Sequence, residues 1–353
     1  TQPFQALMTE GKLKMTLARI HHLTEQAAHA GLDAVSVIPG PNMIYLTGLS
    51  FHLSERPIAA FFPVEGTAMM VVPELEETKA HSALFDFQIF TYDDENGSEQ
   101  AFHQVLSELG LSGKRLGVEG RRIRFLELEL LRSNSGPKIV NADATFAELR
   151  MRKDGNEIAN MRRAVAIAEQ ALAITKSFVR PGMTEKEIAS ELTLQLLSAG
   201  SEAEIPFAPI VASGANGANP HAVATDRSMQ PGDLITLDWG ARYEHYVSDI
   251  TRTYRVGGAP GHPDLVHAYE AVLAANQAGR AAAYPGATGQ DVDRAARKVI
   301  EEAGLSGYFV HRTGHGLGLE AHEEPYIQEG GLMLLEPGMT FSVEPGVYIP
   351  RVG

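Results

Sequence analysis

Acidic side chains and histidines that could do chemistry lie in the second half of the chain. The candidates are Asp238, Asp249, Glu344, His311, His315, His322 and, in an earlier loop rich in glycine and asparagine, His221. Carboxylates and imidazoles bind divalent metal ions and also serve as general acids and bases. The chain has no cysteine, so disulfides, thiolate metal sites and a thiol nucleophile are excluded. The residue types predict either a metal site of oxygen and nitrogen ligands or a metal-free acid–base site.

Two of the carboxylates follow apolar runs that are typical of strands. Asp238 follows Leu-Ile-Thr-Leu, and Glu344 follows Thr-Phe-Ser-Val. A buried carboxylate is costly unless it is protonated or is paired with a cation or a metal ion. The alternative is two solvated acids on edge strands, but the apolar neighbours argue against exposure. We therefore expect Asp238 and Glu344 to share one central site.

Asp249 belongs to a predicted hairpin that brings it beside Asp238. We centre the turn on Tyr243 and Glu244, so that the two aspartates face each other across antiparallel strands. Two carboxylates this close repel each other unless they share a proton or a cation bridges them. A proton-sharing dyad like that of the aspartic proteases is the metal-free alternative, but the Asp-Thr-Gly or Asp-Ser-Gly turns of such a dyad are missing. The pair therefore favours a metal ion.

Three histidines follow within a glycine-rich stretch, where glycine lets the backbone approach a ligand closely. The seven-residue spacing of His315 and His322 differs from the i, i+4 spacing of a helical zinc-peptidase motif. A single histidine is more often structural, but His311, His315 and His322 together, just upstream of Glu344, indicate function. For His221, a substrate-positioning role and an ordinary loop residue both remain open.

The first part of the chain alternates helical and strand patterns, which predicts a small α/β domain. Helical or amphipathic stretches cover 17–30, 98–109 and 125–132, and predicted strands cover 33–38, 59–64, 68–72 and 115–118. A charged segment follows, and then a long predicted helix over 157–179. We place the domain boundary near Glu148, which divides the chain into 1–148 and 149–353.

The second domain contains an internal repeat. Segments 180–187 and 284–291 lie 104 residues apart, and each combines a Pro-Gly turn with a threonine and an acid in the manner of a capping box. Segments 230–240 and 336–346 lie 106 residues apart and carry Asp238 and Glu344 at the same place. The repeat predicts two similar halves around one shared site.

Composition limits the partners. The 353 residues are 44% hydrophobic and 21% charged, which is typical of a soluble globular protein with room for two cores. The formal charge of -14 argues against nucleic acids and anionic membrane surfaces. No apolar run approaches the roughly 20 residues of a membrane span. We predict a cytoplasmic protein with no membrane or nucleic-acid partner.

Taken together, these motifs carry a family resemblance. The motifs are Leu-Asp238-Trp-Gly-Ala, Ser-Asp249-Ile-Thr-Arg-Thr, Thr-Gly-His315-Gly-Leu-Gly, His322-Glu-Glu-Pro and Ser-Val-Glu344-Pro-Gly-Val-Tyr. From about Arg150 onward the chain resembles the pita-bread metallopeptidases, and within them the Xaa-Pro peptidase branch of prolidase and aminopeptidase P. The resemblance implies an α/β N-terminal domain, as found in that branch, and an α+β pita-bread domain with an internal pseudo-two-fold repeat.

The resemblance also implies a dinuclear metal centre and a reaction. The implied metal ligands are Asp238, Asp249, His315 and Glu344, with Asp249 bridging the two ions. The implied catalytic and substrate-site histidines are His221, His311 and His322. A hydroxide bridging the metals would attack the bond between an N-terminal residue and proline, with Glu344 as general base. We expect two divalent ions, manganese or cobalt ahead of zinc or iron, proline-containing peptides as substrates and a homodimer.

Two positions depart from the family pattern. His245 stands where glycine is common, and a histidine tolerates positive φ less well than glycine does. Tyr326 follows the His322-Glu-Glu-Pro motif, where prolidases often carry an arginine for the carboxylate of the substrate. We assign Tyr326 to the substrate-binding site. The change favours aminopeptidase-like action on longer peptides over strict dipeptidase action, and both remain open.

Two other kinds of protein compete with a peptidase. One is a non-catalytic pita-bread module that binds peptides or proteins, and the other is a metal-free enzyme on the same fold, as in creatinase. Retention of all four implied metal ligands argues against both, because a binding module has no reason to keep charged groups on apolar strands.

The end of the chain raises a further alternative. The repeat predicts a return strand after Glu344 with another acid at or beyond position 355, where the family has a fifth ligand. The sequence ends at Gly353. We expect either a missing C-terminal segment, which we favour, or an inactive truncated form with an incomplete metal site.

Overall fold

The first compact unit is a mixed α/β domain. The computed structural model describes residues 2–132, 136–258 and 261–353, and it divides into units Thr1–Arg150 and Met151–Gly353. The first unit contains α1 (Gln2–His29), β1 (Ala34–Val37), α2 (Pro41–Thr47), β2 (Ala59–Pro63), β3 (Met69–Pro73), α3 (Glu77–Ala80), β4 (Gln88–Tyr92), α4 (Glu99–Glu108), β5 (Arg115–Val118), α5 (Phe125–Leu131), β6 (Lys138–Asn141) and α6 (Asp143–Met151).

One sheet of six strands organises this unit. The strand order is β4-β3-β2-β1-β5-β6, with β2 antiparallel to both of its neighbours and the other pairs parallel. Every residue of β1, β2 and β3 is buried, which is the pattern of a sheet covered on both faces. The predicted α/β character of this part is confirmed, and the predicted helix over 17–30 is the second half of the longer α1.

The second unit pairs helices with short antiparallel strands. Its elements are α7 (Gly155–Thr175), α8 (Glu185–Ser198), β7 (Ile210–Ser213), β8 (Leu234–Trp239), β9 (Arg242–Tyr243), β10 (Tyr246–Val247), β11 (Ile250–Arg255), α9 (Pro263–Ala282), α10 (Gly289–Glu302), β12 (Gly314–Gly316) and β13 (Glu323–Ile327). Helix α7 ends at Thr175, short of the predicted Val179, because a 3-10 turn over Lys176–Phe178 follows it. None of the described helices is both long and apolar enough to span a membrane.

Strand β8 lies in the middle of its sheet, between β11 and β7. Ile235, Leu237 and Trp239 are fully buried, whereas the alternate residues Thr236 and Asp238 are only half-buried. The indole Nε1 of Trp239 donates a hydrogen bond to the carbonyl of Ala168 on α7 at 2.9 Å. Because side chains alternate along a strand, burial of Leu237 and Trp239 directs Asp238 to the opposite face.

The hairpin after β8 has a different register from the predicted one. Asp238 is paired with Thr251, not with Asp249, so the predicted pairing was wrong by two residues. The turn consists of Glu244 and His245, one residue later than predicted, with φ of 48° and 67°. A shift of two residues leaves every side chain on its original face, because the alternation has a period of two.

The internal repeat is visible in matching local structure. Thr184 caps α8 and Thr288 caps α10, each through a complete capping box. Matching backbone hydrogen bonds run from Gly182 N–H to Met229 O and from Gly286 N–H to Leu335 O. In each half the capped helix packs against the long helix before it, α7 with α8 and α9 with α10. The predicted repeat is therefore confirmed.

The turn residue His245 offers a test of local strain. A left-handed conformation costs a non-glycine residue about 1–2 kcal/mol. A glycine variant avoids this strain, but the greater conformational entropy of glycine in the unfolded chain cancels part of the gain. We expect His245→Gly to raise the free energy of unfolding by about 0.5 kcal/mol and His245→Val to lower it by more than about 1 kcal/mol. Urea unfolding of the three proteins gives the order. A valine variant as stable as the glycine variant would contradict a strained turn.

Candidate functional site

The four side chains implied as metal ligands meet around His315. Its Nε2 lies 2.9 Å from Glu344 Oε1 and 3.6 Å from Asp249 Oδ2. The side chains of Asp249 and Asp238 lie close enough that each changes the pKa of the other. One imidazole and three carboxylates from four separate chain segments therefore form one cluster, which we call the acidic cluster.

Backbone pairing brings Glu344 to this cluster. Ser342 N–H donates to the carbonyl of His315 at 2.8 Å, and Glu344 N–H donates to that of Thr313 at 2.7 Å. The segment that carries Glu344 thus runs beside β12, as β8 runs beside β7 in the other half. The hydroxyl of Ser342 also donates to Glu344 Oε1 at 2.8 Å, which fixes the orientation of the carboxylate.

The ring of His315 is oriented by its own strand. Its side chain is 5% exposed, and Nδ1 lies 3.1 Å from the carbonyl of Gly316, a distance at which Nδ1–H donates to that oxygen. This hydrogen bond leaves Nε2 as the ring atom that faces Glu344 and Asp249. A neutral imidazole held in this way offers the Nε2 lone pair to a cation, as metal-binding histidines commonly do.

The electrostatics of the acidic cluster are unfavourable without a cation. Burial, together with the charges of its acidic neighbours, raises the pKa of Asp249 to about 8 and that of Asp238 to about 6. Burial acts against the charge of Glu344 as well, but the hydrogen bond and charge of His315 and the hydrogen bond from Ser342 together outweigh it and lower the pKa of Glu344. Burial would lower the pKa of His315, but the hydrogen bond and charge of Glu344, the hydrogen bond to Gly316 and the charge of Asp249 together raise it. Protons therefore partly neutralise the cluster.

One carboxylate oxygen of this cluster lacks a hydrogen-bond partner. Asp238 Oδ1 is buried and has no hydrogen-bond partner in the structure. Three carboxylates and one imidazole are a donor set that suits divalent cations, and a cation would satisfy this oxygen. Within 2–132, 136–258 and 261–353, no three His, Asp or Glu side chains are already arranged as a metal site. His315 and Glu344 are instead hydrogen-bonded to each other.

Two of the predicted substrate-site histidines adjoin the acidic cluster. The exposed His322 sets its ring edge-on to His315, with centroids 4.1 Å apart. Burial of part of its ring and the charges of His315 and Arg312 lower the pKa of His322, so its imidazole is neutral at pH 7. The charge of His221 contributes to the same shift, which places this exposed loop histidine near His322.

The third histidine, His311, is fixed by hydrogen bonds at both ring nitrogens. Its Nδ1 lies 2.6 Å from the carbonyl of Arg312, so Nδ1–H donates there and Nε2 accepts from the hydroxyl of Tyr348 at 3.1 Å. Burial and the charges of Glu344 and Asp238 raise the pKa of Tyr348 to about 12. Tyr348 was not predicted as a site residue, although it closes the quoted Glu344 motif.

A buried carboxylate that the sequence reasoning missed holds the loop of His221. Glu185, the first residue of α8, is fully buried and accepts hydrogen bonds from the backbone and hydroxyl groups of Ser213 and Thr225 and from the amide of Asn216, at 2.6–3.0 Å. Burial would raise its pKa, but these hydrogen bonds outweigh it and lower the pKa. Glu185 thus joins both ends of the segment that contains His221.

The other half has a comparable anchor. Asp293 on α10 is fully buried and accepts from the hydroxyl of Thr313 at 2.6 Å and from its N–H at 3.2 Å. Thr313 lies between His311 and His315, so this contact fixes the strand that carries both histidines. From the sequence, only the neighbouring capping-box acids Glu187 and Asp291 could be recognised. Glu185 and Asp293 could not, because their hydrogen-bond partners are distant in sequence.

The remaining predicted site residue, Tyr326, is opposite His315 in the β12–β13 pair. Arg312 stacks its guanidinium on the ring of Tyr326, with its central carbon 4.4 Å from the ring centroid. Glu323, next to His322, is buried and accepts from the buried ammonium of Lys153 at 2.5 Å. Arg312 and Lys153 carried no signal in the sequence beyond their charge.

Comparison with known proteins identifies the class to which this fold and site belong. Residues 159–353 match metallopeptidase family M24, and residues 19–152 match the creatinase/prolidase N-terminal domain. The chain belongs to metallopeptidase family M24, which implies divalent metal ions. The predicted resemblance and the predicted fold, an α/β domain followed by a pita-bread domain, are confirmed.

Similar proteins cover nearly the whole chain. A protein of Mycobacterium bovis named probable dipeptidase PepE is 37% identical over 325 residues, or 92% of this chain and 85% of its own. The structure of a prolidase from Thermococcus sibiricus superimposes with a TM-score of 0.89 at 31% identity, covering 95% of this chain and 90% of its own. That of an Xaa-Pro dipeptidase from Bacillus anthracis gives 0.85 at 31% identity, covering 96% and 92%.

The raised pKa of Asp249 predicts how pH affects the metal-free protein. The folded state keeps a proton that the unfolded state loses above about pH 4, so this group lowers the free energy of unfolding as pH rises from about 4 to about 8. Asp249→Asn removes the effect. With a chelator present, the free energy of unfolding of Asp249→Asn should exceed that of the wild type by an amount that grows from about pH 5 to about pH 8 and reaches on the order of 2 kcal/mol. A gain independent of pH in urea unfolding would contradict this.

The anchor of the His221 loop predicts a separate effect. In Glu185→Gln, an amide N–H₂ group replaces a carboxylate oxygen that accepted hydrogen bonds, so donors face a donor. The substitution should lower the free energy of unfolding by about 1–3 kcal/mol. Hydrogen exchange of residues 213–225 should accelerate at the same time. Glu187→Gln, on the exposed side of the same helix turn, is the matched control and should leave exchange in that loop unchanged. Equal exchange in both variants would show that Glu185 does not hold the loop.

Proposed function

We propose that this chain is a metal-dependent Xaa-Pro peptidase that cleaves the bond between an N-terminal residue and proline. The observation that carries the proposal is the acidic cluster, in which Asp238 Oδ1 is buried without a partner and two aspartates have raised pKa values. A purely structural cluster would be more stable with neutral side chains. Membership of the M24 family and similarity to named prolidases and dipeptidases support the reading.

The cofactor of this proposal is a pair of divalent ions, with manganese or cobalt ahead of zinc or iron. Asp238, Asp249, His315 and Glu344 would hold them. Such ions supply Lewis acidity toward the scissile carbonyl and a water nucleophile that is available near neutral pH.

The side chains around the acidic cluster have separate tasks in the reaction. Glu344, whose pKa is lowered, is ionised at neutral pH and can accept a proton from the attacking water and pass it to the departing prolyl nitrogen. His322 is neutral and can donate a hydrogen bond to the scissile carbonyl oxygen as negative charge develops on it. His221 and His311 are the other two histidines that we assign to substrate binding.

Proline as the leaving residue makes particular demands on the site. The nitrogen of an Xaa-Pro bond carries no hydrogen, so the enzyme must deliver a proton to it before or during bond cleavage. Glu344 is the carboxylate of the acidic cluster whose pKa is lowered, and the hydroxyl of Ser342 donates a hydrogen bond to its Oε1. We therefore assign the proton transfer to Glu344. Homodimer formation and a cytoplasmic location stay predictions from the sequence.

Activity measurement tests the proposal directly. Protein incubated with manganese or cobalt should release alanine from Ala-Pro, and Asp249→Ala should lose nearly all of this activity because one implied ligand is gone. Asp264→Ala, which changes an exposed aspartate at the start of α9, is the control and should keep it. No hydrolysis with any of several metals, and no bound metal by elemental analysis, would favour the second candidate function, a peptide-binding module.

A further inference from the structure

A buried ion pair adjoins the loop that carries His322. The Nζ of Lys153 lies 2.5 Å from Oε1 of Glu323, and the two side chains are only 1% and 7% exposed. Lys153 lies near the start of the second unit, and Glu323 follows His322 directly in the chain. The pair therefore ties a distant segment to the residue next to a histidine of the site.

Stability alone does not account for this ion pair. Taking two charges out of water is costly, and apolar side chains of similar volume often replace a buried ion pair without loss of stability. An ion pair instead gives a segment one defined partner. The N–H of Lys153 donates to the carbonyl of Gly338 at 2.9 Å, and its Nζ also lies 3.4 Å from the carbonyl oxygen of Met151. Glu323 is therefore tied to a fixed point of the second unit.

Gly318 shows how closely the loop of His322 packs on the pair. A Cβ at this position would lie 2.6 Å from Oε1 of Glu323 and 2.8 Å from Cε of Lys153. Gly318 does not have a positive φ, so close packing and not backbone conformation excludes a side chain here. The carbonyl of Gly318 also accepts from the N–H of Val247 at 2.8 Å. The loop from Gly318 to Glu323 is therefore fixed at both ends.

The ring of His322 depends on this loop for its position. His311 and His315 have hydrogen bonds at their ring nitrogens, whereas no described residue forms a hydrogen bond with the ring of His322. Its ring meets that of His315 edge-on, with centroids 4.1 Å apart, and the residue is otherwise exposed. The backbone that carries His322 therefore decides where its imidazole lies.

We infer that Lys153 is a positioning residue for His322, because its buried ion pair with Glu323 holds the imidazole where it can donate to the scissile carbonyl oxygen. The inference rests on the proposed Xaa-Pro peptidase function. Lys153 acts only through Glu323 and His322 and does not touch the substrate. A displacement of about 1 Å in a group that acts in the transition state can cost about 100-fold in rate, so a distant ion pair can control the reaction.

The first test removes the charges of the pair and keeps its volume. Lys153→Met alone would leave the carboxylate of Glu323 buried without its cation, so it is combined with Glu323→Gln in a neutral-pair variant. Metal-loaded full chain is assayed on Ala-Pro. In this variant kcat should fall about 10- to 100-fold with KM nearly unchanged, because His322 acts on charge that develops during bond cleavage.

A second variant disturbs the pair without changing its charges. Gly318→Ala places a methyl group where Lys153 and Glu323 meet, and it should reproduce the fall in kcat. Gly307→Ala, at an exposed glycine with open space around an added Cβ, is the matched control and should keep the wild-type kcat. Thermal melting confirms that each variant is folded.

Combination with His322→Ala separates positioning from a general effect on the fold. In a chain that already carries His322→Ala, the neutral-pair variant should lower kcat by less than about 2-fold, because the group that Lys153 positions is gone. Hydrogen exchange on the same metal-loaded proteins supplies a readout besides activity. Exchange of residues 317–322 should be faster in the neutral-pair variant than in the wild type.

Several results would overturn the inference. An equal loss of kcat with and without His322→Ala would show that the pair supports the whole fold and not His322. Unchanged exchange of residues 317–322 would show that the pair does not hold the loop. An active wild type with an unaffected neutral-pair variant would remove this inference alone, whereas failure of the wild type to cleave Ala-Pro with any metal would remove the proposed function and the inference with it.

Discussion

The repulsion among three partly buried carboxylates is the constraint on which the second unit is built. Asp238, Asp249 and Glu344 converge where water is scarce, and burial and mutual repulsion raise the pKa values of the two aspartates. The rest of the unit holds them together. Trp239 and Leu237 fix β8 in the core, and His315 neutralises part of the charge. A cation that binds only the folded state would recover the cost.

The internal repeat explains how the two halves of the unit each contribute to this one site. Each half supplies one acid on an extended segment, Asp238 on β8 and Glu344 on the segment beside β12, and one helix whose buried carboxylate holds a neighbouring segment. Glu185 secures the loop of His221, and Asp293 secures the strand of His311 and His315. These anchors use fully satisfied carboxylates, in contrast to the acidic cluster. The same residue type is therefore stabilising where donors surround it and costly where acids surround it.

Much of this arrangement could be predicted from the sequence, because it depends on local patterns. The apolar run before Asp238 placed it on a strand, and the repeat of the Pro-Gly segments predicted that Glu344 shares its site. The hairpin register could not be predicted, since the turn uses positive φ at Glu244 and His245, where no glycine marks it. The stacking of Arg312 on Tyr326 was also hidden, because it depends on how β12 pairs with β13.

Other missed contacts share a cause. Glu185, Asp293 and Lys153 have ordinary sequence surroundings, and each acquires its role from a partner on another element. Burial converts them from surface-type charges into groups whose hydrogen bonds decide local order. Patterns along the chain report which face of an element is buried, but they carry no information about which distant donor will meet a given carboxylate.

The ion pair between Lys153 and Glu323 has a consequence for synthesis of the protein. The two residues are 170 positions apart, and both are buried in the folded unit. During synthesis, the ammonium group of Lys153 must stay in water until Glu323 has also left the ribosome, because burying an unpaired charge costs several kcal/mol, about the effective desolvation penalty of one ion. Burial of Lys153 is therefore a late step in the folding of this unit, because it waits for a partner from a distant part of the chain.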